Sequence, residues 1–186
     1  EHLEIKGKSP GQKQIFTDQE IQTLWDNKEK EGVDSILLLI YTGMRIGELV
    51  SLIKFHINLK DEYIRHGSKT QAGQDRIIPL HPKILPFIEK RMGLKSEFLF
   101  PFPGETKKMT VDYYRKYIYY RTLKELKLPR LTPHCCRHTY SSLLNKSVSN
   151  KEYIMRLMGH TDYSLTANVY THSDIEELKK AVQSIE

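Results

Sequence analysis

The hydrophobic pattern along the chain changes character at residue 17. Residues 1 to 16 are polar and carry Gly7, Pro10 and Gly11, which predicts an extended arm or linker. Thr17-Asp18-Gln19-Glu20 then forms a capping-box pattern and leads into Ile21, Leu24 and Trp25 at helical spacing. From Val33 to Thr42 the chain is apolar at its centre on all sides, as expected of a helix enclosed by core. Gly43 is suited to end that helix in a left-handed conformation, and a short amphipathic helix is expected from about Arg45 to Leu52.

The period then shortens. Phe55 to Leu59, Glu62 to His66 and Asp75 to Leu80 are short, partly alternating runs separated by Lys60-Asp61 and by Gly67 to Gln74. They predict three antiparallel strands with a mobile second turn. Helical spacing returns at Pro82 to Met92, Thr110 to Leu126, Pro133 to Asn145, Asn150 to Met158 and Ser164 to Tyr170. Ser173-Asp174-Ile175-Glu176 reads as another capping box, opening a terminal helix to about Ser184. The fold class expected is α+β, mainly α-helical with a small three-stranded antiparallel sheet.

Composition narrows the picture only slightly. A chain of 186 residues with 39% hydrophobic content suits one domain with a real core. The net charge of +6 permits a polyanionic partner without requiring one. The longest apolar run, Ile36 to Tyr41, is too short to span a bilayer, and residues 1 to 6 have no apolar signal region. The first residue is not Met, in keeping with a piece of a longer protein. Cys135 and Cys136 are neighbours, an unusual arrangement for a structural disulfide, so a reducing, cytoplasmic setting is expected.

Five segments carry candidate chemistry. In Thr42-Gly43-Met44-Arg45-Ile46-Gly47-Glu48-Leu49 a helix stops at a glycine and the next opens on an arginine, which would hold a guanidinium beside free backbone N–H groups. In Gly67-Ser68-Lys69-Thr70 a lysine sits on a turn, able to reach and protonate a leaving oxygen. Thr132 can cap a helix begun at Pro133, where His134 and Arg137 share one face near the positive end of the dipole. Gly159-His160 closes a further helix and presents an imidazole, and Tyr170 lies near the end of a short one. Each alone is ordinary: such arginines and lysines are mostly solvated, and a lone tyrosine is mostly core. Tyr113, Tyr114, Tyr117, Tyr119 and Tyr120 read as packing and rim positions. Zinc is not expected, because adjacent cysteines on a helix point about 100° apart and no second ligand pair has finger spacing.

Taken together, the order Arg, Lys, His-x-x-Arg, Gly-His, Tyr resembles the tyrosine recombinase (phage integrase) family, closest in look to the integrases of phages and conjugative transposons. The resemblance runs from about Thr17 to His172, the expected catalytic domain. Matched motif by motif, it implies that Arg45, Lys69, His134, Arg137, His160 and Tyr170 are catalytic and that Glu48 supports Arg45. It further implies a metal-independent, ATP-independent cleavage of double-stranded DNA through a 3′-phosphotyrosine ester, with no cofactor. In that scheme the arginines and His160 offset charge on the non-bridging oxygens, Tyr170 attacks, His134 takes its proton and Lys69 protonates the 5′-hydroxyl. Thr70, Arg76, Lys107, Lys108, Arg115 and Lys116 are candidate DNA contacts, with a solvated surface as the alternative.

The family also implies a separate core-binding domain joined through residues 1 to 16, a bacterial or phage origin, and accessory DNA-bending or directionality proteins. The tail from Ser173 to Glu186, with Ile175, Leu178 and Val182 at helical spacing, either docks on a neighbouring subunit or packs on its own domain. Competing readings are a type IB topoisomerase-like relaxing activity, a non-catalytic DNA-binding relic, and a helical protein-interaction module.

Overall fold

The computed structural model describes residues 14–66, 76–159 and 171–185. Its centre is the apolar segment read above as a buried helix. Helix α1 (Asp18–Asp26) is started by Thr17, whose hydroxyl accepts the Glu20 backbone N–H while the Glu20 carboxylate accepts that of Thr17. Helix α2 (Val33–Thr42) follows, buried at every position but Asp34. The Ser35 and Thr42 hydroxyls donate to the carbonyls of Gly32 and Leu38, so their polarity is satisfied inside the helix itself. Gly43 ends α2 at φ +62°, as its position suggests, and Arg45, two residues later, is the N-cap of α3 (Ile46–Val50).

Among the described residues the sheet has the order β1–β2–β3, all antiparallel: β1 (Ile57–Asn58), β2 (Tyr63–His66) and β3 (Arg76–Pro79). Ile57 pairs with Ile64, and Ile64 with Ile78, which sets an apolar ladder across the sheet. The first strand is shorter than the periodicity suggests. Leu52 accepts from the Leu99 N–H, Ile53 bridges Phe98, and Lys54 donates to Glu97, so the chain arrives tied to another segment. It then turns through a 3-10 stretch (Lys54–His56) that leaves Phe55 92% exposed. β3 is an edge strand yet buried at all four positions, because α8 and α9 pack against it. Pro79, which has no N–H to offer, suits the end of such an edge.

After a 3-10 turn (Pro82–Ile84), α4 runs over Leu85–Met92. The region read as one helix from Thr110 to Leu126 is instead α5 (Val111–Tyr113), a π-helical stretch (Tyr114–Tyr119) and α6 (Tyr120–Glu125). The widened turn has a clear use. Residues five apart lie on the same side of a π-helix, whereas in an α-helix they lie about 140° apart. Tyr114 and Tyr119 can therefore both enter the core, where the Tyr114 hydroxyl meets that of Ser35 and Tyr119 donates to the Thr132 carbonyl. The second bond pins the start of α7 (Pro133–Ser147), which packs along α2.

Helix α8 (Lys151–Met158) is capped by Asn150 and closed by Gly159 in the left-handed region. The terminal helix α9 (His172–Gln183) starts two residues earlier than its sequence pattern suggests. Thr171 is the N-cap, and the Asp174 carboxylate accepts its backbone N–H and its hydroxyl. Asp174 also meets Arg156 of α8. In the single chain α9 packs on its own domain, with Leu178, Ala181, Val182 and Ile185 buried. Residues 1–13, the turn after β2 and the expected helix Ser164 to Tyr170 lie outside the described residues.

His81 joins this tail to the body. Its Nδ1 accepts the Lys83 backbone N–H, which leaves the ring proton on Nε2 to donate to the Ile185 carbonyl. The Nδ1 bond needs the neutral ring, and burial, outweighing the Ile185 bond that favours the charged form, holds its pKa below the usual histidine value. The folded state therefore binds this proton less readily than the unfolded chain. The contribution is fully present above about pH 6.5 and is lost as pH falls below it. Thermal unfolding followed from pH 7.5 down should show a stability loss in this window that His81→Asn reduces.

Candidate active site

The Gly43 turn, the end of α8 and strand β3 bring three guanidinium groups to one carboxylate. Glu48 sits in the first turn of α3 and is largely buried. Its Oε2 accepts the Arg45 backbone N–H at 2.8 Å, and its Oε1 accepts Arg45 Nη1 at 3.0 Å. Arg45 is thus held at both ends by one side chain, while its own side chain stays 52% exposed. From β3, Arg76 Nη2 donates to the same Oε2 at 3.3 Å. Burial would raise the Glu48 pKa, but the charge of Arg76 and the donors of Arg45 outweigh it and hold the carboxyl below its usual range.

Arg137 enters from the second turn of α7. Its Nη1 donates to the Gly43 carbonyl at 2.7 Å and its Nη2 to the Met158 carbonyl. The glycine turn that sets Arg45 therefore also orients Arg137. Burial, with the positive charges of Arg76 and Arg45 nearby, pulls the Arg137 pKa down to about 10. The group stays protonated at neutral pH. Three cations facing one carboxylate leave a local surplus of positive charge, which an arriving anion would relieve. Part of that surplus is already offset by the C-terminal carbonyls of α8, the negative end of its dipole.

Both glycines at this site are dictated by crowding as well as by φ. A Cβ at Gly43 would lie 2.3 Å from Tyr140 Cδ1, and one at Gly159 would lie 2.8 Å from Arg76 Cδ. Tyr140 is fully buried under the Gly43 turn, and its hydroxyl has no hydrogen-bond partner among the described residues.

His134 is exposed in the first turn of α7, its ring set edge-on to that of His138 with centroids 4.5 Å apart. Thr132 occupies the N-cap position, yet its hydroxyl meets Cys135 Sγ rather than a backbone N–H. Cys135 and Cys136 are buried free thiols of the core, Cys136 pushed up to about 12 by that burial. The fold thus brings Arg45, Glu48 and Arg137 together. Lys69, Thr70, His160 and Tyr170 lie outside the described residues.

The candidate DNA contacts divide. Lys107 and Arg115 are exposed and paired with Glu105 and Asp112, and Lys108 is exposed. Arg76 is corrected by the fold: at 5% side-chain exposure it is no surface residue, and its guanidinium is spent on Glu48 and on the carbonyls of Leu157 and Met158. Its place in Arg76-Ile77-Ile78, a strand buried on both faces, was the available signal. An arginine in such a run needs an internal partner.

Gly43→Ala should be costly twice over, through the left-handed φ and through the Tyr140 ring. A loss of about 2–4 kcal/mol in denaturant unfolding is expected. Gly47→Ala, where the added Cβ meets open space, should change stability little.

The chain is similar to known proteins in sequence and in fold. Residues 14–177 match the model of the phage integrase family. A tyrosine recombinase of Thermosipho africanus is 29% identical over 193 aligned residues, covering 99% of this chain and 65% of that protein. The tyrosine recombinase XerD of Pasteurella multocida is 28% identical over 76% of this chain and 50% of its own length. The chain thus spans about half to two thirds of the curated relatives it matches. Among solved structures, an integrase from mycobacterium phage Brujita superposes with a TM-score of 0.72 at 15% identity, over 97% of this chain and 60% of that one. The Tn1549 transposon integrase in complex with circular intermediate DNA gives 0.68 at 23% identity, over 94% and 66%. Those identities speak for the fold; the family match covers most of the chain, and the chain belongs to the phage integrase family of tyrosine recombinases.

Proposed function

We propose that this chain is the catalytic part of a site-specific recombinase that cuts and rejoins double-stranded DNA during integration or excision of a mobile element. One observation supports the reading above all. Arg137 crosses 94 positions of sequence to bond the very turn that presents Arg45, and the two groups share one electrostatic environment. Two guanidinium groups on one anion-seeking site are what an in-line displacement at phosphorus needs, since charge develops on the non-bridging oxygens.

In the proposed step the Tyr170 oxygen attacks phosphorus and the bond to the 5′-oxygen breaks. His134 takes the phenol proton, Lys69 supplies one to the leaving 5′-hydroxyl, and His160 adds a donor to the phosphate. The 3′-phosphotyrosine ester keeps the bond energy, so attack by another 5′-hydroxyl rejoins the strand without ATP or metal. Lys107, Lys108, Arg115 and Thr70 are offered as backbone contacts outside the reacting centre. Self-assembly on DNA belongs to the same reading. Because α9 is seated on its own domain through Leu178 and Val182, assembly through the tail would place that helix on the equivalent seat of a neighbour.

A nicked suicide substrate, from which the 5′ fragment diffuses away, should trap a covalent protein–DNA adduct. Tyr170→Phe should abolish it, and an adduct that survives in this variant removes the nucleophile assignment. Arg45→Lys keeps the charge but loses the planar fork, and cleavage should fall about 100-fold. Relaxation of supercoils without a specific site would instead favour the topoisomerase-like reading. Binding should also weaken steeply with salt, by about 100-fold or more between roughly 50 and 200 mM, because phosphate contacts carry it. Salt-insensitive binding would count against a DNA-backbone interface.

A further inference from the structure

Among the described residues, Arg76 is a buried cation that the recombinase scheme does not use. Its side chain is 5% exposed, so a phosphate of bound DNA is not its partner. It spans two elements that carry active-site groups. One guanidinium nitrogen donates to Glu48, the residue holding Arg45 by both backbone and side chain. The other donates to the Leu157 and Met158 carbonyls, and Met158 is also the acceptor for Arg137. A side chain on the next residue, Gly159, would collide with Arg76, its Cβ lying 2.8 Å from Arg76 Cδ.

We infer that Arg76 is a positioning residue of the phosphate site, acting on Arg45 through Glu48 and on Arg137 through the Met158 carbonyl. This rests on the recombinase reading above. The reasoning is geometric. Glu48 has two oxygens and three donors to serve, and Arg76 fixes where Oε2 sits; without it the carboxylate can rotate toward Arg45 and draw that guanidinium inward. The Met158 carbonyl likewise takes two guanidinium groups, and loss of one lets the end of α8 and Arg137 shift together. A planar fork can bridge a carboxylate on one side and a helix end on the other, whereas an ammonium is a single point charge.

The test compares single-turnover cleavage by the protein and by Arg76→Lys, on a suicide substrate with an ordinary scissile phosphate and on one with a methylphosphonate there. A methylphosphonate has one non-bridging oxygen replaced by a neutral methyl, so it needs less from Arg45 and Arg137. The variant should cleave the ordinary phosphate about 100-fold more slowly, as expected for a displaced clamp, with DNA affinity changed by no more than about threefold. On the methylphosphonate the gap should shrink to about fivefold or less. Equal losses on both substrates, or cleavage of the phosphate within about threefold of the parent, would overturn the inference. If Arg76→Lys does not fold, Arg76→Gln combined with Glu48→Gln removes the ion pair as a unit, and the same ratio decides. No adduct from the unmodified protein on either substrate would overturn the recombinase reading itself, which a loss confined to the variant leaves intact.

Discussion

The Glu48 carboxylate is the one group on which the arrangement of the site depends. Gathering Arg45, Arg76 and Arg137 in a partly desolvated space is unfavourable in itself, since like charges repel more strongly as water is removed. A single buried anion makes the gathering tolerable without neutralising it. Glu48 does this from a helix whose first turn it also caps, so its position is set by the backbone of α3 before any arginine arrives. Local capping and long-range charge balance are served by the same carboxylate.

The rest of the fold can be read as support for that balance. Helix α2 is enclosed by core and ends at Gly43, which places a rigid corner over the Tyr140 ring. Helix α7 is aligned against α2 and anchored at its start by Tyr119, itself turned inward by the π-helical stretch. Helix α8 brings carbonyls rather than charges, and a dipole end suits a site that must stay cationic. The tail helix then covers β3 and closes over the strand that delivers Arg76.

A cationic cluster assembled before substrate arrives fits the catalytic logic proposed for the family. In the proposed reaction, arginines held by Glu48, by Gly43 and by Met158 would need little reorganisation when charge builds on the non-bridging oxygens. Burial first, and then the neighbouring charges of Arg76 and Arg45, lower the Arg137 pKa, and an anion bound at the site would oppose that shift. Arg45, half exposed, is the member that faces outward, while Arg76 and Arg137 are set behind it.

Several features were legible in the sequence because they are decided within a few residues. The Thr17 capping box, the span of α2, the left-handed stop at Gly43 and the helix end at Gly159 all involve partners three or four positions apart, or a backbone angle at one residue. The ordered motifs carried the family in the same way. Other features depend on neighbours far along the chain, and local pattern is silent on them. The first strand is cut short because residues 52–54 pair with 97–99, and the terminal cap moves to Thr171 because Asp174 has Arg156 within reach. Arg76 looked like one more basic surface residue; only the packing of β3 beneath α8 and α9 buried it and gave it Glu48. Sequence decided which cations and which carboxylate exist, and tertiary structure decided which of them share a charge, because burial and long-range proximity are properties of the folded chain alone.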